Sequence, residues 1–429
     1  MKTINIGIIG LGTVGSGVVR ILQQHHDDFM RDQDVDLRLV AAASRDASQA
    51  ETLGITQIFC DDGNAVVNNP EVDIVIELVG GVTFAKELVF AALNAGKSVV
   101  TANKALIAAH GHELMELAAH KGVEIAFEAS VGGGIPIIGP LRHTLAGNQI
   151  RSIIGIVNGT TNYMLTRMRE NSLDYAEALK EAQAKGFAEA DPTADIEGFD
   201  AAAKIAILAT IAFNTDVRLD QVSVEGISRL SALDLDYAGE MGYCIKLLAI
   251  ANRTSDGIDI RVHPAMVPLA HPLASVNGVF NAIYVVGDAV GDTMFFGEGA
   301  GSGPAASSVV GDLIEVGRHL AYRESITQPV WDTESLPIKP IDELETSYYL
   351  RLSVPDRPGV LATTAQIFAQ HNVSIYSMVQ PGTHASSTEL VCVTHVARES
   401  DMLAALAEIR AANVVLSEPV LIRVQGDAI

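Results

Sequence analysis

The first part of the chain alternates short apolar runs with helical patterns. Runs of strand length occur at Ile4–Ile9, Leu37–Ala43, Asp73–Leu78 and Ser98–Thr101, and helical patterns occur at Val14–Leu22 and Lys86–Ala95. Strands that alternate with helices predict a parallel sheet, and right-handed crossovers then give a doubly wound, Rossmann-type domain. We expect this domain to span residues 1–130 and to be completed by a helix near residues 305–325.

The pattern changes beyond residue 130. Residues 131–330 mix helices with longer strands, such as Arg261–Val267 and Ala282–Val286, which predicts a second, α+β domain. Residues 331–347 contain two prolines and a cluster of acids, so we interpret them as a linker. Residues 348–429 follow a βαββαβ pattern, typical of a ferredoxin-like domain. The predicted fold class is therefore α/β with three domains.

Charge and cysteine content narrow the classes of function. The formal net charge of -23 argues against nucleic acid and anionic membrane surfaces as partners, since both reward clustered Lys and Arg. The three cysteines are widely spaced and favour buried thiols in a reducing compartment. The uncharged stretch 262–287 contains three prolines, which argues against a membrane span. We expect a cytoplasmic protein.

A glycine motif follows the first predicted strand and opens the first predicted helix. Its residues are Gly10, Leu11, Gly12, Thr13, Val14 and Gly15. In such a GxGxxG motif the glycines allow a tight turn, close approach of the backbone to a pyrophosphate, and packing of the helix on the strand. The motif and its strand–turn–helix context predict a nicotinamide dinucleotide site.

The second strand of an NAD-selective domain usually ends in an acidic residue that binds the ribose hydroxyls. Here the strand ends in Ser44 and Arg45. A guanidinium can pair with the 2′-phosphate of NADP, so we predict a preference for NADP. Arg45 could also be an ordinary solvated charge beside Asp46, and NAD stays possible.

Two lysines stand out by their surroundings. Lys104 follows the strand Ser98–Thr101, at the sheet edge where cofactor and substrate meet in open α/β sheets. Lys204 is the only charge in the apolar run 201–213. It could extend outward from a core helix, but Asp200 lies four residues earlier on the same helix face. The acid-rich loop before it would suit a substrate that carries a cationic amino group.

At this point the sequence resembles a known family. The run 182–204, VTANKALIA around Lys104, VNGTTNYML, FEASVGGGIP and GEGAGSGPAASSVVGDL match the homoserine dehydrogenases over essentially the whole chain. The resemblance implies interconversion of L-homoserine and L-aspartate 4-semialdehyde, with Lys204 as proton donor and acceptor and Lys104 as binder of the substrate oxygen. The residues that it implies for substrate binding are Gly186, Glu189, Asp195 and Asp200.

The same resemblance implies further ligands and partners. A monovalent cation, expected to be sodium, would lie near the cofactor, with Gly301 approaching the cofactor from the returning chain. The ligands implied for this cation are Glu128 and backbone oxygens around Val131, Gly133 and Ile135. Residues 131–330 would also form the dimer contact of a homo-oligomer, a dimer or a tetramer.

The C-terminal pattern resembles an ACT domain, which pairs with a copy of itself and binds amino acids at the interface. Gly359, at a helix start after Val354-Pro-Asp-Arg-Pro, permits close approach of a ligand carboxylate. Feedback logic makes L-threonine the expected effector. The alternative is a dimerisation module that binds no ligand.

Two other classes of function compete with this interpretation. An aspartate-semialdehyde dehydrogenase needs an activated cysteine near a histidine, and none of the three cysteines lies in such a motif. A non-catalytic sensor of dinucleotides and amino acids would have no use for Lys204 in an apolar helix.

Overall fold

The computed structural model describes residues 2–322, 335–380 and 387–426. The N-terminal part forms a six-stranded sheet in the order β3-β2-β1-β4-β5-β6, in which all neighbouring strands are parallel. Its strands are β1 Thr3–Ile9, β2 Asp36–Ala43, β3 Phe59–Cys60, β4 Ile74–Glu77, β5 Ser98–Thr101 and β6 Ile125–Ala126. Its helices are α1 Thr13–Asp32, α2 Ser48–Thr52, α3 Gly63–Asn68, α4 Thr83–Asn94 and α5 Lys104–Lys121.

The middle part mixes helices with antiparallel strands. Its strands are β7 Ile150–Ile156, β8 Ser223–Val224, β9 Tyr243–Arg253, β10 Ile258–Pro268, β11 Phe280–Gly287 and β12 Gly291–Glu298. Its helices are α6 Gly159–Asn171, α7 Tyr175–Ala184, α8 Thr193–Ile196, α9 Phe199–Phe213, α10 Ala232–Glu240 and α11 Ser302–Tyr322. β11 pairs antiparallel with β7 and β12, and β10 pairs antiparallel with β9 and parallel with β8.

The C-terminal part consists of β13 Glu345–Pro355, α12 Val360–Gln370, β14 Ile375–Val379, β15 Ser387–Thr394, β16 Ala397–Arg398, α13 Glu399–Ala411 and β17 Val420–Val424. Strands run in the order β17-β13-β15-β14, as expected for βαββαβ. β17 also pairs with β10 in parallel, so this sheet continues into the middle part. The predicted α/β fold class is confirmed, with a Rossmann-type domain first and a ferredoxin-like domain last.

The N-terminal sheet is held by an apolar core. Ile4, Ile6 and Ile8 of β1 are fully buried and pack in one cluster with residues of α1 and α11. Gly17 of α1 faces α11 so closely that a Cβ there would lie 2.6 Å from the Ser302 carbonyl oxygen. The helix that we predicted near residues 305–325 thus begins at Ser302 and packs on this sheet, while residues 323–325 lie outside the described residues.

The chain divides into two compact units. The first comprises Met1–Val157, Ala203–Gln221 and Phe280–Leu336, and the second comprises Asn158–Ala202, Val222–Val279 and Pro337–Ile429. The domain boundaries at residues 130, 330 and 347 stay a prediction, and residues 331–334 of the predicted linker lie outside the described residues. Within the described ranges, no helix is long and apolar enough to cross a bilayer.

Candidate active site

The predicted dinucleotide motif forms the turn between β1 and α1. Gly10 has a φ of 102°, and a Cβ there would lie 2.5 Å from the Leu78 carbonyl oxygen. A Cβ on Gly15 would overlap the Gly10 carbonyl oxygen, whereas a Cβ on Gly12 would meet no atom of the described residues within 4 Å. The turn therefore has open space above Gly12, which precedes α1 and has no side chain to cap its first amides. This arrangement fits a bound pyrophosphate, because unpaired amides at a helix N-terminus attract anions.

The other predicted cofactor residues lie around this turn. The Gly10 amide donates to the Ala43 carbonyl at 2.8 Å, which brings Ser44 and Arg45 next to the glycines. Ser44 is half-buried and Arg45 is exposed. On the other side, the Ser302 hydroxyl donates to the Thr13 carbonyl at 2.8 Å. Gly301, the neighbour of Ser302, is thereby placed beside the same turn.

Lys104 is the first residue of α5 and directly follows the turn after β5. A chain of buried polar groups fixes this turn: the Thr101 hydroxyl donates to Glu77 Oε2 at 2.7 Å and accepts from the Asn103 amide at 3.0 Å. The Asn103 side chain donates to the Gly81 carbonyl at 2.7 Å and caps α5. The half-buried Lys104 therefore follows a hydrogen-bonded turn at the carboxyl edge of the sheet.

Lys204 is buried in α9, with only 8% of its surface exposed. Its Nζ atom donates at 2.6 Å to the carbonyl oxygen of Val157, the residue directly after β7. Asp200, 9% exposed, lies one helical turn earlier on α9. Apart from these two residues and Thr210, the helix consists of hydrophobic residues. A buried ammonium of this kind is rare in proteins and usually has a partner or a chemical task.

One asparagine brings two of the predicted substrate carboxylates together. The Asn158 side-chain amide donates to Asp195 Oδ1 at 2.7 Å and to Asp200 Oδ2 at 2.9 Å. Its carbonyl oxygen accepts from the Thr161 amide and hydroxyl at the start of α6. The hydroxyl of Thr160 lies 2.9 Å from Asp195 Oδ2. Two carboxylates held this closely form a negative cluster that favours a cationic ligand group.

The other two predicted substrate residues lie further along the acid-rich loop. Gly186 follows α7 with a φ of 75°. Glu189 is exposed, and its main-chain carbonyl accepts from Gln183 at 3.1 Å. The structure therefore brings together Asp195 and Asp200, and it leaves the Glu189 side chain at the surface.

The predicted cation ligands belong to one loop, in which the Glu128 carboxylate already accepts hydrogen bonds from the main chain. Its oxygens accept the amides of Ile137, Ile138 and Gly139 at 2.6, 2.8 and 2.6 Å. The Glu128 amide donates at 2.9 Å to Asp312, and burial raises the pKa of the Asp312 carboxyl well above its usual range. The Gly133 carbonyl accepts from the Ser308 hydroxyl at 2.7 Å. The Glu128 carboxylate is thus held by the amides of residues 137–139, and the cation site of this loop stays a prediction.

Comparison with known proteins agrees with the geometry. Residues 10–128 match the model of the homoserine dehydrogenase NAD-binding domain, residues 136–314 match that of homoserine dehydrogenase, and residues 348–413 match that of the ACT domain. The chain is 43% identical to a homoserine dehydrogenase from Neisseria gonorrhoeae, over 99% of both chains. This chain belongs to the homoserine dehydrogenase family.

Solved structures of this family show the same fold. A homoserine dehydrogenase from Thiobacillus denitrificans is 43% identical, with a TM-score of 0.95 over 99% of both chains. A hyperthermophilic archaeal homoserine dehydrogenase in complex with NADPH is 29% identical, with a TM-score of 0.62 over 73% of this chain and 98% of that one. The predicted homoserine dehydrogenase function is confirmed, and a non-catalytic sensor is not favoured.

Sequence reasoning missed Asn158 and Thr160 as members of the candidate site. Both lie in the NGTTN segment, which served only as a mark of family resemblance. The segment directly follows a strand and opens a helix, and Asn is a favoured residue at helix N-termini. That position could have drawn attention to Asn158. The contact of its amide with two distant carboxylates could not be read from local sequence.

Proposed function

We propose that this homoserine dehydrogenase oxidises L-homoserine reversibly to L-aspartate 4-semialdehyde, with Lys204 transferring the proton of the substrate oxygen. A bound nicotinamide supplies the hydride acceptor, or the donor in the reverse direction. Oxidation removes a hydride from the carbinol carbon and a proton from the hydroxyl, so a base must lie next to that oxygen. The observation that carries the proposal is Lys204, a buried lysine one turn from the buried Asp200.

Lys104 and the acids have supporting roles in this proposal. Lys104, fixed at the start of α5, would hold and polarise the substrate oxygen. Asp195 and Asp200, joined by Asn158, would neutralise the substrate ammonium group. Glu189 and Gly186 would complete the site from the acid-rich loop. Glu189 is exposed, so its contribution depends on the substrate being present.

The test is replacement of Lys204 by alanine. We expect kcat for L-homoserine to fall by about 10²–10⁴-fold, the usual range for loss of a general acid–base group, while cofactor affinity stays unchanged. Replacement of Lys185, an exposed lysine paired with Glu181 of α7, is the matched control. Near-normal turnover in the Lys204→Ala enzyme would refute the assignment.

We further propose a preference for NADP over NAD. Arg45 is exposed beside the glycine turn, and no acidic residue ends β2 there, so the charge at this position favours a 2′-phosphate. Gly10, Leu11, Gly12, Thr13, Val14, Gly15 and Gly301 would hold the rest of the dinucleotide. The archaeal relative described above was solved with NADPH, which agrees with this preference.

A monovalent cation, expected to be sodium, would bind in the loop that begins at Glu128. The Glu128 carboxylate and main-chain oxygens around Val131, Gly133 and Ile135 are hard donors that suit such an ion. The Gly133 carbonyl already accepts a hydrogen bond from Ser308 of α11. A cation bound to the same loop would further stabilise it beside α11.

The C-terminal domain is the proposed site of an amino-acid effector, with L-threonine as the candidate. Gly359 directly precedes α12 with a φ of 96°, and a Cβ there would meet no atom of the described chain within 4 Å. A ligand carboxylate could therefore approach the first amides of this helix. We also propose that the enzyme is cytoplasmic and forms a homo-oligomer, either a dimer or a tetramer.

A further inference from the structure

A short segment of the second unit contacts both the C-terminal sheet and the acid-rich segment 186–200, which carries Asp195 and is called the substrate loop below. The short segment consists of residues 225–234, between β8 and the first turn of α10, and is called the bridge segment below. Each of its ends pairs with an arginine of the C-terminal sheet. Neither arginine belongs to the proposed site, and the mechanism above uses neither of them.

The first end is held by Arg423 of β17. Its Nη1 atom donates to Glu225 Oε2 at 2.8 Å, and its Nε atom donates to the buried Glu399 at 2.9 Å. The Glu225 amide donates to the Val262 carbonyl of β10 at 2.8 Å. Glu225 thus joins β10 and β17, which are themselves neighbours in the sheet.

The second end is held by Arg351 of β13. This arginine makes a bidentate pair with Asp234, at 2.6 and 3.1 Å, and Asp234 is fully buried at the start of α10. Arg423 pairs with Tyr348 on the neighbouring strand and therefore lies on the same face of the sheet as Tyr348. Arg351 lies two residues after Tyr349 and shares the face of Tyr349. Since successive residues of a strand point to opposite faces, the bridge segment holds both faces of the C-terminal sheet.

Between its two ends, the bridge segment packs against the substrate loop. The Ile227 amide donates to the Ile196 carbonyl at 2.8 Å. A Cβ on Gly226 would overlap the Ile196 carbonyl oxygen and would lie 2.6 Å from the Glu197 Cα atom. Ile196 is the residue after Asp195 and ends α8. Residues 226 and 227 therefore contact the two residues that follow Asp195 directly.

We propose that the bridge segment positions Asp195 for the substrate, and that Arg423 and Arg351 make this position depend on the C-terminal sheet. The inference rests on the proposed role of Asp195 in binding homoserine. It assigns Glu225, Gly226 and the two arginines as positioning residues. A change in the C-terminal sheet reaches the substrate loop through these pairs, with no contact to the substrate itself.

A purely structural role for these pairs predicts a different result. If these ion pairs only stabilise the C-terminal domain, their removal would lower the stability of the protein. It would then change all kinetic constants to the same extent or none of them. A positioning role instead changes the KM for L-homoserine and leaves cofactor affinity unchanged, because the dinucleotide turn belongs to the other unit.

The experiment compares Glu225→Gln with Glu418→Gln in the full-length enzyme. Both remove one carboxylate paired with an arginine of the C-terminal domain, but Glu418 pairs with the exposed Arg410, away from the bridge segment. Arg423 keeps Glu399 in the first variant, so the fold should be retained. We expect the KM for L-homoserine to rise about two- to fivefold in Glu225→Gln. Glu418→Gln should leave it unchanged, and NADP(H) affinity should be constant in both.

A second pair of variants tests the same step without a charge change. Gly226→Ala should raise the KM for L-homoserine by about tenfold or more, because the added methyl group forces the bridge segment and Ile196 apart. Gly239→Ala, at an open position of α10, is its control. Unchanged KM in both Glu225→Gln and Gly226→Ala would overturn the inference. Unchanged KM in Asp195→Asn would instead refute the role of Asp195, and with it the reason to position this loop.

Discussion

The two proposed ligand sites of this enzyme are built from different parts of the polypeptide. The dinucleotide turn consists of main chain, and its shape depends on the absence of side chains at Gly10 and Gly15. The proposed substrate cluster consists of side chains, in which the buried Asn158 donates to the carboxylates of the half-buried Asp195 and the buried Asp200. The first site should therefore fail when an atom is added, and the second when a charged or donor group is removed.

The same contrast separates the two sheets. The N-terminal sheet is buried through Ile, Val and Leu side chains, which make up most of its core cluster. The C-terminal sheet has its own apolar core but adds buried ion pairs, Arg351 with Asp234 and Arg423 with Glu399. Buried charges are costly when one partner is removed, so these pairs make the second unit sensitive to single changes in charge.

The largest effect is expected for Arg351→Leu. It leaves the fully buried Asp234 without its bidentate partner, so the free energy of unfolding should fall by about 3 kcal/mol or more. Arg410→Leu, which breaks an exposed pair with Glu418, should cost less than about 1 kcal/mol. Chemical denaturation of both variants measures the difference. Equal stabilities would show that the buried pair is not what distinguishes the second unit.

Gly15→Ala should lower NADP(H) affinity by about 100-fold, because its methyl group overlaps the Gly10 carbonyl and opens the turn. Gly311→Ala adds the same group at an open position of α11 and should leave affinity unchanged. Fluorescence titration with NADPH checks both variants. Normal affinity in Gly15→Ala would contradict a site built from main chain.

Asp195→Asn should raise the KM for L-homoserine by about 10–100-fold and leave cofactor affinity unchanged. It removes one of two charges facing the substrate ammonium and places an amide against the amide of Asn158. Asp191→Asn changes an exposed carboxylate in the same loop and serves as control. If both variants raised KM equally, a general loss of negative charge would explain the effect instead.

Arg45→Ala is expected to have the smallest effect, a loss of about tenfold in affinity for NADP with little change for NAD. It removes a charge-assisted contact with the additional phosphate only. Arg31→Ala, an exposed change at the end of α1, should alter neither affinity. An equal loss for both cofactors would show that Arg45 does not distinguish them.

The sequence predicted the main-chain features of the molecule better than its side-chain contacts. The strand at Ser98–Thr101 was predicted with the bounds that the structure gives, and the helix predicted from Val14 begins one residue earlier. The period of the hydrophobic residues and the positions of the glycines are local properties of the sequence, and this explains the agreement. The pairing of β17 with β10 was not predicted, because it joins strands about 160 residues apart.

The candidate site shows the same limit. Lys204 and Asp200 could be selected because four residues separate them on one helix. Asn158 could not be assigned a role, since its two carboxylate partners lie 37 and 42 residues away along the chain. The three amides that donate to the Glu128 carboxylate could not be foreseen either, because they belong to residues 9, 10 and 11 positions further along the chain.

The most direct test of the account is the reaction itself. Purified full-length protein should reduce NADP when L-homoserine is supplied, with L-aspartate 4-semialdehyde formed in equal amount. In the second arm, L-aspartate 4-semialdehyde and phosphate replace homoserine, and no NADP reduction is expected, because acylating chemistry needs an activated cysteine. Phosphate-dependent reduction in that arm, or cofactor binding without any turnover of homoserine, would contradict the account.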